Sequence, residues 1–257
     1  MKNKIVLIVL VASIIFSQNI CYCFDESKLA EAETSFLKGD FENAASGYEK
    51  LLDEKIKSEV KNDIRYKLAL CYIKLGRIDD AKNTLTNLLS KDLKGDFGAE
   101  VRMAYADAFY ASEGFNEAYL EYEKTLSYNP NTNISSTVNY KLGEVSRKLG
   151  DWEKAKMFYK KVITDYPQSF EANLSQGVLK NGEFYFSVQV GSFAKPENAQ
   201  NMVDELKAKG YDAYTAEYET EGLQFYRVRV GKCDKKDQAF ELESRLKAEG
   251  LPARIFP

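Results

Sequence analysis

Apolar and small residues recur through the first two thirds of the chain with a period of 37 residues. Four alanines carry this period without a break: Ala44, Ala81, Ala118 and Ala155. A bulky apolar residue stands three positions before each alanine: Phe41, Ile78, Phe115 and Trp152. A second small residue stands twelve positions before each alanine: Ala32, Ala69, Ala106 and Gly143. Small side chains let two helices pack closely, so the pattern predicts a stacked array of two-helix units.

The hydrophobic pattern changes after Pro167. A last helix over residues 169–179 is predicted to cover the apolar end of the array, and Asn181-Gly182 marks a break. Beyond the break, Val188 and Val190 alternate with polar positions, which is typical of a half-buried strand. The remaining pattern predicts strands at 184–191, 213–219, 223–231 and 252–257, with helices at 196–210 and 237–250. In the second of these helices, four residues are predicted to face inward: Ala239, Phe240, Leu242 and Leu246.

The last repeat carries the most complete motif: Leu142-Gly143, Gly150-Asp151-Trp152, Ala155, Tyr159 and Pro167. This order resembles the tetratricopeptide repeat, and the resemblance covers about residues 25 to 170. The chain departs from the family where its first tryptophan is expected, at Lys28, Arg65, Arg102 and Asn139. The third repeat also places its turn glycine, Gly114, one position late. Each unit is longer than the family's usual one, and we expect the extra residues in the loop that leads to the next repeat.

Two motifs in the C-terminal part resemble the SPOR (sporulation-related repeat) domain. They run from Ser187 to Phe193 and from Tyr226 to Gly231, with Gly210-Tyr211-Asp212-Ala213 between them. The resemblance covers residues 184–257. It implies a four-stranded antiparallel sheet with two helices on one face. It also implies binding to peptidoglycan glycan strands that have lost their stem peptides, a property that targets envelope proteins to the division site.

Strand parity predicts which side chains of this domain would meet a glycan. Because the valines should face the helices, their alternation partners should face water. Parity gives the candidate glycan-binding residues Tyr185, Ser187, Gln189, Phe225, Arg227, Arg229 and Arg254, with Phe256 beside them, and the resemblance to the SPOR motif adds Ser192. Aromatic rings cover sugar faces, an amide bonds hydroxyl and acetamide groups, and arginine pairs with carboxylates. The alternatives are that the arginines are merely hydrated and that Phe225 packs at an edge.

The first helices of the repeats should line a concave groove. Five apolar or aromatic residues are candidates for a partner groove: Phe36, Tyr66, Ile73, Tyr110 and Tyr140. An extended segment or a helix of an envelope protein could lie across them. The alternative, which the sequence leaves open, is that some of these side chains only pack between repeats.

Composition and the first residues predict the cellular compartment of the protein. Residues 1–23 combine a basic start, an apolar run over 5–16 and small residues, which predicts a signal peptide and export to the periplasm or cell envelope. The run is short for a membrane span, so we expect no stable span after cleavage, although an uncleaved anchor stays open. Cleavage would remove Lys2 and Lys4 and change the net charge from −3 to −5. This acidity gives no reason to expect nucleic acid.

The residue inventory argues against catalysis. The chain has no histidine, which removes the usual base of nucleophilic enzymes and the commonest catalytic zinc ligand. Cys71 is predicted to be a buried thiol, and no metal-ligand spacing or cofactor motif is present. We therefore expect a multidomain, non-enzymatic adaptor with a signal peptide (1–23), an all-α repeat solenoid (24–180) and an α+β SPOR domain (181–257). The alternatives are a regulator of a cell-wall hydrolase, a remote hydrolase that uses carboxylates alone, or a scaffold whose SPOR-like domain has lost its ligand.

Overall fold

The computed structural model describes residues 26–220 and 222–257. The predicted signal peptide lies outside the described residues, as do Cys21, Cys23 and Glu221. Within the described ranges, no helix is both long enough and apolar enough to cross a membrane.

Nine helices build the repeat array in the part of the chain that the structure describes. They are α1 (Glu26–Leu37), α2 (Phe41–Leu52), α3 (Ser58–Lys74), α4 (Ile78–Leu89), α5 (Gly95–Ala111), α6 (Phe115–Leu126), α7 (Thr132–Leu149), α8 (Trp152–Asp165) and α9 (Phe170–Asn181). The odd-numbered helices are the first helices of the repeats, and α3, α5, α7 and α9 contact one another in succession. They form one layer, and the second helices form the other.

The periodic small residues lie where the helices cross. The four alanines of the second helices are fully buried, at 0% exposure each. Gly143 has no room for a side chain, because an added Cβ would lie 2.7 Å from the ring of Tyr159. The predicted all-α array is confirmed, and its period arises from these close helix contacts.

The turns inside the repeats show one departure from the glycine pattern. Gly39, Gly76 and Gly150 have φ values of 78°, 73° and 77°, in the left-handed region that favours glycine. In the third repeat Glu113 occupies this conformation, with φ 61°, while the late Gly114 has φ −76°. The longer connections are those between repeats, which span 53–57, 90–94 and 127–131, as expected from the length of the unit.

The C-terminal residues form a small α+β domain. Its elements are β1 (Phe186–Phe193), α10 (Pro196–Ala208), β2 (Ala213–Thr220), β3 (Leu223–Cys233), α11 (Lys236–Ala248) and β4 (Arg254–Phe256). The strands form one antiparallel sheet in the order β2-β3-β1-β4. The core lies between the sheet and the two helices and includes Val188, Val190, Val228 and Val230, as parity predicts.

One prediction about the core of this domain is wrong. Phe240 of α11 is 48% exposed, whereas its neighbour Ala239 is fully buried. Successive helical residues are turned by about 100°, so a residue beside a buried alanine can leave the inward face. Phe240 lies under the Lys236 ammonium instead, 5.7 Å from its ring centre.

Candidate functional site

The predicted glycan-binding residues lie on the sheet face that is turned away from the helices. In the strand register, Gln189 is paired with Arg229 on one side and with Arg254 on the other. Ser192 is paired with Arg227, and Ser187 with Phe256. Directly paired side chains point to the same side of a sheet. The register therefore gathers these residues on one surface, which we call the sheet face.

A β-bulge keeps Ser192 on this surface. The pairing of β1 with β3 shifts between Gln189 and Gly191. Val190 is buried in the core, and a Cβ added to Gly191 would meet Met202 Sδ at 3.0 Å on the helix side. Two successive residues therefore face the helices, which a bulge permits. Strict alternation would have placed Ser192 on the opposite side of Gln189, and only the family motif pointed to it.

One part of the sheet face is accessible to solvent, and we call it the open half. It contains Gln189, Ser192, Phe225, Arg227 and Arg254, all of them exposed or half-buried. The guanidinium of Arg227 lies 3.4 Å from the ring centre of Tyr218, which is 40% exposed and is paired with Phe225. Sequence reasoning missed Tyr218. Its position opposite Phe225 would have revealed it.

The other part, which we call the covered half, contains Ser187, Arg229 and Tyr185. The expectation that these side chains face water is wrong for two of them, since Ser187 is 0% and Arg229 is 5% exposed. Arg229 Nη1 donates a hydrogen bond to Glu183 Oε2, and its guanidinium lies 3.7 Å from the ring centre of Phe256. Residues 182–185, which we call the linker, therefore supply the carboxylate that Arg229 meets.

Two polar atoms of the covered half are left without a hydrogen-bond partner. They are Arg229 Nε and Ser187 Oγ, both buried. Buried polar groups are normally bonded, so an unpartnered pair on one surface calls for an explanation. The Tyr185 hydroxyl does have a partner, the hydroxyl of Tyr214 at 3.4 Å. Burial, this bond and the nearby Glu183 carboxylate raise the pKa of Tyr185 above its ordinary value.

The linker and the first strand contact the repeat array. The ring centre of Phe184 lies close to two cations of the array, 6.0 Å from the Arg147 guanidinium and 5.1 Å from the Lys156 ammonium. The ring centres of Trp152 and Phe186 are 4.9 Å apart, and Trp152 Nε1 donates to the carbonyl oxygen of Asp234 at 3.2 Å. The periodic aromatic position of the last repeat thus contacts the following domain. The predicted boundary between residues 180 and 181 falls at the end of α9, and independent folding of the two parts stays a prediction.

The structure brings together three of the five candidate groove residues. Ile73, Tyr110 and Tyr140 line a cavity of about 360 Å³ across α3, α5 and α7. Phe36 and Tyr66 lie elsewhere: Phe36 packs edge-on against Phe41 at 5.6 Å, and Tyr66 against Phe97 at 5.9 Å. Tyr110 and Tyr140 also have ring contacts, with Phe115 at 5.3 Å and Tyr159 at 5.8 Å, so lining of the shared cavity is what sets the three residues apart. We call their site the groove.

The carboxylates of the groove are bonded within the array. Asp107 accepts hydrogen bonds from the Tyr122 hydroxyl and, at 2.7 Å, from Lys141 Nζ. Glu144 accepts from the Tyr159 hydroxyl and, at 3.3 Å, from Arg147 Nη1. Sequence reasoning did not identify these acids, although each stands 15 residues before its tyrosine. Burial raises the pKa of both Tyr110 and Tyr140 to about 12, so both rings carry neutral hydroxyls at physiological pH.

The two cysteines in the described part of the chain have the surroundings of packed thiols. Cys71 is fully buried, and burial raises the pKa of its thiol to about 11, so it is a poor nucleophile. Cys233 is a free, half-buried cysteine whose pKa is also raised by burial. Both observations agree with a packing role.

Comparison with known proteins gives the same architecture. Family profiles match a tetratricopeptide repeat-like domain at residues 22–147, a tetratricopeptide repeat at 138–169 and a SPOR domain at 182–255. A search of curated proteins finds no match.

Solved structures resemble the fold of the repeats. One contains the TPR-like repeats of a putative kinesin light chain from Podosopora anserina, at 15% identity and a TM-score of 0.51, with 71% of this chain and 93% of that one covered. Another is BtubC (BKLC) from P. vanneervenii, at 16% identity and a TM-score of 0.50, with 76% and 84% covered. These likenesses show the fold alone. The chain thus joins a tetratricopeptide repeat-like array to a C-terminal SPOR domain.

Proposed function

We propose that this protein is an exported, non-enzymatic adaptor of the bacterial cell envelope. Its SPOR domain binds peptide-free glycan strands of peptidoglycan, and its repeat array binds a protein partner. By linking the partner to the peptidoglycan, the protein acts in cell division or envelope assembly. The observation that carries the proposal is the open half, where an amide, two arginines and two aromatic rings share one accessible surface.

The chemistry of the open half suits a sugar acid polymer. The rings of Tyr218 and Phe225 offer flat apolar area for the faces of sugar rings. Gln189 can donate to and accept from hydroxyl and acetamide groups. Loss of the stem peptides leaves a free carboxylate on each muramic acid unit, and Arg227 and Arg254 are available to pair with it.

A co-sedimentation assay of the full chain with peptide-free glycan strands tests the proposal. Gln189→Ala should weaken binding about 2- to 10-fold, because one hydrogen bond contributes roughly 0.5–1.5 kcal/mol. The matched control is Gln224→Ala, which removes an exposed amide of β3 that lies at the far end of the sheet, opposite Glu219. The control should bind like the parent. Equal binding by both variants would mean that the glycan does not lie on the open half.

The same wall preparation separates the adaptor from the hydrolase alternative. Carboxylates occur on many helix surfaces of this chain, but none of the groove acids is free, since each is bonded to a tyrosine and a cation. We therefore expect no clearing of a wall suspension by catalytic amounts of protein. Clearing would overturn the adaptor. Absence of glycan binding without clearing would favour the scaffold alternative.

The groove is the proposed contact for the protein partner. Its aromatic lining and its internally bonded acids favour an apolar segment rather than a charged one. A photo-crosslinker placed at Ala111, an exposed residue of the cavity wall, should capture that partner from a native envelope. The same crosslinker at the exposed Leu37, outside the cavity, is the control and should not capture it.

A further inference from the structure

The covered half holds a charged group that the proposed function does not yet use. We propose that Arg229 and Ser187 form a carboxylate-binding site, which Glu183 of the linker fills in the free protein. A muramic acid carboxylate takes the place of Glu183 when the glycan binds. The identity of the external ligand rests on the proposed function, whereas the internal competition rests on the contacts of the linker.

Arg229 has the surroundings of an anion site. Its side chain is almost entirely buried, one face of the guanidinium lies on Phe256, and Glu183 bonds to Nη1. A guanidinium removed from water needs an anion, because a buried charge without a partner is strongly destabilising. The linker meets this need, so its carboxylate stabilises the free domain.

The linker carboxylate does not use the whole site. Arg229 Nε and Ser187 Oγ, both on the covered half, remain without hydrogen-bond partners. Arginine binds carboxylates best in a bidentate arrangement that uses two of its N–H groups. A carboxylate that approaches from the open half can bond to Nε as well as to an Nη group, and Ser187 can donate to it. An external ligand therefore gains bonds that Glu183 does not make.

The site is continuous with the open half. Gln189 stands directly opposite Arg229, at the short distance of paired strand residues, which is about 5 Å between Cβ atoms. A glycan bound along Gln189 thus brings its next acidic group to the edge of the covered half. The displaced segment is short, since the next residue, Phe184, is held by its contacts with Arg147 and Lys156 of the array. Only the Glu183 end of the linker has to move.

Internal competition makes the site selective. A tethered carboxylate lowers the apparent affinity for the external one, because the competent state is only partly populated. An uncharged glycan gains nothing at this site, since removing Glu183 without supplying an anion would leave Arg229 buried and unpaired. The Arg229–Glu183 ion pair therefore favours acidic glycans over neutral ones such as chitin oligosaccharides.

The test compares two charge-matched variants of the full chain. Glu183→Gln removes the competing charge, and its amide oxygen can still accept a hydrogen bond from Arg229; circular dichroism and a melting curve establish that the variant is folded before its affinity is compared. Glu217→Gln removes one charge from an exposed position of β2 that is paired with Tyr226 and does not contact Arg229.

Affinity is measured by anisotropy of labelled peptide-free glycan strands and of chitin oligosaccharides of equal length. Glu183→Gln should bind the peptide-free strands about tenfold more tightly, within the usual range of coupling between sites, and chitin no more tightly than the parent. Glu217→Gln should bind both like the parent.

Two results would overturn the inference. Equal affinities of the two variants for peptide-free strands would show that Glu183 does not compete. A parallel gain for chitin would show that the site does not select a carboxylate.

A second measurement keeps the inference separate from the proposed function. The Arg229 Nε–H resonance of Glu183→Gln is followed by NMR while N-acetylmuramic acid or N-acetylglucosamine is added. A shift with the acid alone supports the site, even if no variant binds polymeric strands and the proposed function fails. No shift with either sugar overturns the site, while strand binding through the open half would leave the proposed function standing.

Discussion

The open half and the covered half of the sheet face are built from the same kinds of residue, but their arginines differ in solvent exposure and in the groups they contact. In the open half, Arg227 lies against Tyr218 and remains accessible. In the covered half, Arg229 is buried and is bonded to an acid from outside the sheet. The two arginines stand two positions apart on one strand and point to the same side. Their difference shows that strand parity determines the side of the sheet, whereas the path of the linker determines access.

Three consecutive residues of β3 therefore have three different surroundings. Arg227 meets solvent and an aromatic ring, Val228 is fully buried against the helices, and Arg229 is buried on the other face. Substitutions at these positions and at the paired strand can separate the three situations. The expected effects decrease from the core to the unpartnered serine.

The largest effect is expected from Val228→Asp. The carboxylate would be placed at a position with 0% exposure in an apolar core, and an unpaired buried charge costs several kcal/mol, on the order of the stability of a small domain. We expect the SPOR domain to unfold and to become sensitive to limited proteolysis. Thr215→Asp is the control, because Thr215 is paired with Val228 but is exposed. A protease-resistant Val228→Asp domain would contradict the assignment of the core face.

A smaller but clear effect is expected from Arg229→Glu. This change breaks the buried ion pair and sets a second carboxylate beside Glu183, and loss of one partner of a buried pair costs about 3–5 kcal/mol. The melting temperature of the domain should fall by more than about 10 °C, given its small size.

Arg227→Glu is the matched comparison in the open half. It should change stability by less than about 1 kcal/mol, since surface changes are small, while glycan binding weakens. Equal melting shifts in the two variants would show that the covered half is no more buried in solution than the open half.

The smallest effect is expected from Ser187→Ala. Its hydroxyl is buried without a partner, so its removal should leave the free energy of unfolding unchanged or slightly increased. Ser136→Ala is the matched control in the array, because Ser136 is equally buried but bonds to Glu171 at 3.0 Å and to the Asn133 carbonyl at 2.9 Å. Removing these bonds should cost about 1 kcal/mol. Denaturant titrations that give equal losses for the two serines would place a partner on Ser187.

Local periodicity allowed most of the fold to be predicted. The period of small residues gave the two-helix repeats, since helix contacts require small side chains at regular intervals. Alternation gave the core valines of the sheet, since a strand has only two sides. The late glycine shows where this reasoning ends: Glu113, not Gly114, takes the left-handed conformation, because the position in the turn sets the backbone angle.

The candidate sites were only partly predictable. Family motifs led to Gln189 and Ser192, and parity led to the arginines, but neither indicated that Glu183 would bond Arg229 across 46 residues of chain. Among the groove candidates, Ile73, Tyr110 and Tyr140 line one cavity, whereas Phe36 and Tyr66 lie outside it. Contacts between distant segments depend on how whole elements pack, which no local pattern records.

By itself, the sequence determined the two-helix repeats and the core valines of the sheet, because these follow from spacing within a single element, and its motifs led to the SPOR domain by resemblance. Only the tertiary structure decided that one half of the sheet face is open and the other is covered. It also decided that Trp152 contacts Phe186 of the following domain and that a bulge at Val190 and Gly191 returns Ser192 to the sheet face. The physical reason is that exposure depends on what other elements place above a residue, and not on the residue's own periodicity.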